Sequence, residues 1–143
     1  MRRGGRLFAV LGIAILLLIV LAVRNAGART AVLHVGGVSY SLEVVTSEAA
    51  QELGLGNRTS LPMNDGMLFP SVVPGKQCFW MKGMQFPLDM IWVSNTKKVT
   101  HIEHGVSPES YPHSYCAQGS YVIELNAGQA TASKIHVGET LQF

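Results

Sequence analysis

The chain has 143 residues, 48% of them apolar, with 11 Lys and Arg against 9 Asp and Glu. Arg2, Arg3, Arg6, Arg24 and Arg29 all precede residue 30, so residues 30–143 keep 6 of the cations against all 9 acids, a net charge of −3. That length allows one domain with an appendage, and the lack of a basic stripe in the domain argues against nucleic acid as a partner.

Leu7 to Val23 is a run of seventeen residues without a charge. As a helix it is roughly 25 Å long, the short end of what crosses a bilayer. It reads as a retained signal anchor, single-pass in the cell membrane, with the arginine-flanked end cytoplasmic. A signal peptide cleaved near Ala28, after the small residues Ala26-Gly27-Ala28, is the alternative. The length of the run and the intervening Arg24 favour the anchor. Both readings make residues 1–29 an N-terminal segment and linker, and residues 30–143 a single domain outside the cytoplasm.

Val32–Val35 and Val38–Val45 read as a hairpin about Gly36-Gly37, because Val38, Tyr40, Leu42 and Val44 alternate with polar residues. Thr46 is placed to cap a helix over Ser47–Leu53, with Gly54 just past its end. Asp65-Gly66 turns the chain into a strand at Met67–Phe69, and Pro70–Lys76 reads as an exposed loop. Strands at Gln77–Met81 and Phe86–Val93 flank a Lys82-Gly83-Met84 bend, and a polar turn at Ser94–Lys98 leads to a strand at Val99–Ile102. His104–Gly119 is the longest stretch without a strand pattern and suggests a lid or a tethered loop. Tyr121–Leu125 and Lys134–Phe143 are the last strands. Short apolar runs bounded by turn residues predict a mainly β fold, a small barrel-like or folded-over antiparallel or mixed sheet with one short helix.

Three ordered strings carry a resemblance: Asp65-Gly66-Met67-Leu68-Phe69, Trp80-Met81-Lys82-Gly83-Met84-Gln85-Phe86-Pro87-Leu88-Asp89, and Val122-Ile123-Glu124-Leu125-Asn126-Ala127-Gly128. They resemble the signature of the domain of unknown function 192 family, whose members are uncharacterised and membrane-anchored or exported. The resemblance runs from about Val38 to the C-terminus and implies a compact, mostly β domain, but no reaction. Where the family usually has Gly-Leu-Met-x-Arg, this chain has Gly54-Leu55-Gly56-Asn57-Arg58, so Gly56 replaces an apolar side chain expected to plug one end of a pocket.

Cys78 and Cys116 are the only cysteines. In an exported domain they are candidates for a disulfide worth about 2–4 kcal/mol, although Cys78 within an apolar run also reads as a small buried hydrophobe. Arg58, Asp65, Trp80, Lys82, Asp89 and Glu124 form the candidate ligand-binding set. Asp89 and Glu124 lie between apolar neighbours, so an inward carboxylate needs a partner, and Lys82 and Arg58 are the available cations. The competing reading gives these groups wet faces or structural ion pairs.

The domain therefore reads as a module binding a small polar ligand or an envelope partner. One alternative is an envelope enzyme using Asp89 and Glu124 as an acid–base pair; another is a structural or accessory domain. No nucleophile elbow, phosphate loop or zinc-protease motif is present, so no catalytic residue and no cofactor is assigned. A Cu(I) site from Met81, Met84, Cys78, His101, His104 and His113 is a minor alternative, weighed against methionines that fill core gaps, and no metal ligand is assigned.

Overall fold

The computed structural model describes residues 29–143. The anchor or signal segment of residues 7–23 and the cleavage point near Ala28 lie outside the described residues. Six strands form one mixed sheet: β1 (Arg29–Val35), β2 (Val38–Val44), β3 (Asp65–Trp80), β4 (Leu88–Val93), β5 (Val99–Val106) and β6 (Ser114–Asn126), in the order β1-β2-β3-β6-β4-β5. Only the β2–β3 pair is parallel, because helix α1 (Glu48–Leu53) carries the chain across between them. β1 and β5 end the strand order and do not pair with each other, so it is an open sheet and not a closed barrel.

Alternation sorts the side chains into two cores. Leu33, Leu42, Leu68, Ile91, Ile123 and Leu125 face one side, where the second short helix α2 (Gln129–Ala132) covers them together with Ile135 and Leu141. Met67, Phe69, Met90, Trp92 and Val122 face the other side, where Leu55, Leu61 and Met81 close over them. Tyr40 is fully buried on the first side and its hydroxyl meets Gln129 and Ser133, which ties α2 to β2.

The N-terminal hairpin forms at Gly36-Gly37, both glycines having positive φ (59° and 78°). Helix α1 is capped one residue later than expected, by Ser47 rather than Thr46: the Ser47 side chain accepts from Ala50 N–H. No residue of α1 is buried, and Gln51 fastens it by donating to the carbonyls of Val45 and Pro70.

Three local expectations are corrected. Pro70–Lys76 is not a separate loop, because β3 continues through it. Pro70 lies opposite Tyr121 and Gly75 opposite Gly119, so four residues of β3 face one of β6 and the ladder resumes beyond. A proline and excess residues are tolerated in a strand where the register slips. Likewise, His104–Gly119 is ordered: β5 runs to Val106, Pro108–Ser110 makes a single 3-10 turn, and β6 starts at Ser114 to pair with the far half of β3. The last ten residues form isolated bridges only, His34 with Gln142 and Lys98 with Thr140, because α2 takes the chain off the sheet edge. With α2 the domain has two short helices rather than one.

Beyond the slip, β3 and β6 fold back over the second core. Phe79 packs edge-on against Phe69 at 4.9 Å and against Trp92 at 6.2 Å, and Trp92 Nε1 donates to the Gln77 carbonyl at 3.0 Å. Cys78 and Cys116 are opposite partners in this arm and are bonded, with Cα atoms 4.1 Å apart. Both lie on its exposed face, so Cys78 is not a buried hydrophobe.

Candidate functional site

A cavity of about 320 Å³ opens between α1, the folded-back arm of β3 and the bend after it. Its walls are apolar where Leu55, Phe69, Phe79 and Met84 meet, and polar where Gln51, Gln77 and the exposed Glu48 and Glu52 of α1 reach it. The Lys82 side belongs to a bend held in place by backbone. Asn57 N–H donates to the Gly83 carbonyl at 2.9 Å, which locks the bend to the turn after α1, and both residues have positive φ (64° and 71°).

Glu124 borders this cavity. On the sheet it is level with Met67 of β3 and Met90 of β4, both in the second core, so its side chain shares their face. It is only 4% exposed. No group of the described residues bonds its carboxyl oxygens, and every fully enclosed side-chain oxygen has a partner, so these oxygens keep a sliver of surface on the cavity. Burial raises the carboxyl from its ordinary 4.5 to about 8. At neutral pH Glu124 is therefore mostly a neutral acid, able to donate one hydrogen bond and accept another.

The structure brings Trp80, Lys82 and Glu124 to this one cavity, and leaves Arg58, Asp65 and Asp89 elsewhere. Trp80 is 41% exposed and stands where the cavity meets solvent. Arg58 pairs with Glu43 at 2.7 Å, both partly exposed. Asp65 opens β3 opposite Ser41.

Asp89 is fully buried, on the other face: it shares the face of Ile91 and Val93 of the first core. Its two oxygens accept from Gly105 N–H at 2.8 Å and Ala130 N–H at 2.9 Å. This carboxylate joins β5 to α2, and the pairing it needs comes from backbone rather than from Lys82 or Arg58. Asp89 and Glu124 thus share no site, and the acid–base pair is not formed.

Two other expectations change. Cys78 is in a disulfide and offers no thiolate, and Met81 is packed in the second core, so the copper set is dispersed. No group of three or more His, Cys, Asp or Glu is placed to hold a metal among the described residues. Gly56 borders neither this cavity nor the shallower depression behind Lys82. A Cβ there would lie 2.7 Å from the Leu53 carbonyl oxygen, so the glycine permits a tight turn and does not vacate a plug position.

The residues that sequence reasoning missed are Glu48, Gln51 and Glu52 of α1, and Phe69 and Phe79 of β3. Glu48 and Glu52 are four apart, one helical turn, which places them on one face; that spacing was the available signal.

The family model of domain of unknown function 192, described as an uncharacterized ACR, matches residues 31–143. The chain belongs to that family. None of the curated proteins matches it. The domain of unknown function 192 fold recurs in solved structures. A protein of unknown function from Novosphingobium aromaticivorans DSM 12444 is 28% identical, with a TM-score of 0.76 over 82% of this chain and 87% of its own. A Sinorhizobium meliloti 1021 protein described as a possible transcription regulator is 25% identical, with a TM-score of 0.71 over 78% of this chain and 89% of its own.

Proposed function

We propose that this domain of unknown function 192 protein is a binding module, held outside the cytoplasm by residues 7–23, that takes a small polar ligand in the cavity bordered by Trp80, Lys82 and Glu124. One observation carries the reading: a nearly buried acid without a partner among the described residues borders an accessible cavity. Burying an ionisable group without a partner costs stability and contributes nothing to folding, so its use lies in what enters the cavity. The volume sits at the small end of the 300–1,000 Å³ typical of ligand sites, and aromatic side chains line it beside polar ones (about 320 Å³ here). The bonded Cys78–Cys116 pair supports the extracytoplasmic placement, since disulfides persist in oxidising compartments.

A thermal-shift screen of the full chain in mild detergent against amines, amino acids, sugars and peptidoglycan fragments tests the reading. Ligands that raise the melting temperature of the wild type but not of Glu124→Gln support it. A hit that stabilises both equally places binding elsewhere.

A further inference from the structure

We infer that the ligand of this cavity carries an organic ammonium group, seated against the carboxyl of Glu124, on a small apolar body lying against Phe69, Phe79 and Trp80. The inference rests on the ligand-site reading above and adds the chemical class. The geometry has three parts. At the inner end the Glu124 carboxyl has no partner among the described residues, so its oxygens are available to a donor. Along the walls Phe69 and Phe79 meet edge to face, and Trp80 stands at the opening; aromatic faces attract cations, most strongly where water is excluded. At the rim, α1 adds Glu48 and Glu52, and the bend adds Lys82.

The charged and titratable groups facing the cavity are therefore three carboxyls and one ammonium: Glu48 and Glu52 from α1, Glu124 from β6 and Lys82 from the bend. β3 contributes Gln77 and the disulfide-bonded Cys78, which do not titrate, and β4 contributes Met90 beside Glu124. Acids outnumber the base, so the field at the inner end favours a cation over an anion. A ligand carboxylate would meet Lys82 only at the rim and would face Glu124 within. A neutral donor or carbonyl could bond the neutral acid, but it would gain nothing from Glu48, Glu52 or the ring faces.

An ammonium ligand changes the protonation of its site. The free carboxyl holds its proton up to about pH 8. An ammonium beside it favours the carboxylate, so binding below that pH expels the carboxyl proton to solvent while the ligand keeps its own. Affinity then rises with pH as the proton becomes easier to lose, about tenfold per pH unit below the midpoint.

Isothermal titration of the full chain in mild detergent with phenethylamine, phenethyl alcohol and hydrocinnamate tests the inference, since the three share a body and differ in head group. Phenethylamine is expected to bind at least about tenfold more tightly than the other two, and about 50–100-fold more tightly at pH 8.5 than at pH 6. Repeating the neutral-pH titration in buffers of different ionisation heat should show release of nearly one proton. Glu124→Gln should lose the preference for the amine and its pH slope. If that variant does not fold, proton release in the wild type decides alone. Binding of the alcohol or the acid as tight as that of the amine, or amine binding without proton release, overturns the ammonium inference and leaves the ligand cavity standing. No binding by any of the three overturns the ammonium inference, and the thermal-shift screen decides the ligand cavity separately.

Discussion

Asp89 and Glu124 occupy adjacent strands one step out of register, Asp89 opposite Leu125 and Glu124 opposite Met90, and so point to opposite faces of the sheet. One buried carboxyl accepts from two backbone N–H donors; the other has no hydrogen-bond partner among the described residues. That contrast separates a structural residue from a candidate functional one.

Asp89→Ala is expected to destabilise the domain by about 3 kcal/mol, because it leaves the Gly105 and Ala130 N–H groups without their acceptor in a buried setting. Binding in the Glu124 cavity should persist at temperatures where the variant stays folded. Urea unfolding measures the first effect; a loss below about 0.5 kcal/mol would contradict the structural assignment.

Stability should fall as pH rises. The unfolded Glu124 carboxyl ionises near 4.5 and the folded one near 8, so between those values the folded state holds the extra proton. Its contribution is therefore greatest below about 4.5, declines through neutrality and levels off above 8, a total of about 5 kcal/mol for this one group. Glu124→Gln keeps the shape and removes the titration. It should match the wild type near pH 5 and exceed it near pH 8, read as melting temperatures across that range. Parallel curves for the two proteins would contradict the protonated acid.

Reducing the Cys78–Cys116 bond, or replacing both residues with Ser, should cost about 4 kcal/mol through the freed loop, given a separation of 38 residues. Because both cysteines lie on the exposed face of the arm, the double Ser variant should fold without a packing defect. The arm carries Phe79 and Trp80, so the loss should also weaken ligand binding. Denaturant unfolding with and without reductant gives the first number.

Gly56→Met restores the residue usual in the family. It is expected to destabilise this chain by about 1–3 kcal/mol, since its Cβ would press on the Leu53 carbonyl, a backbone atom that cannot swing aside. A stabilised Gly56→Met protein would revive the reading of Gly56 as a missing plug.

Much of the fold was legible in the sequence where short-range rules decide. The hairpin at Gly36-Gly37, α1 with its Gly54 stop and the buried run of β4 follow from turn chemistry and alternation. Pairing across long separations was not legible. Pro70–Lys76 reads as an exposed loop, yet β3 resumes because β6 supplies a partner and Phe79 has Phe69 and Trp92 to pack against. In turn β3 orders Ser114–Gly119 of β6, which has no strong periodicity of its own. In the site, apolar neighbours flagged both buried acids, but the face each occupies depends on register across β4 and β6. Half of the candidate residues met at one cavity, and the acidic helix face beside them was visible only once α1 had been laid against β3.

The most direct measurement is the titration of the Glu124 side-chain carboxyl by carbon NMR in the full chain, with and without phenethylamine. A midpoint near 8 that falls by more than one pH unit when the amine is added fits a buried acid waiting for a cationic partner. A midpoint near the ordinary 4.5, unmoved by the amine, contradicts it.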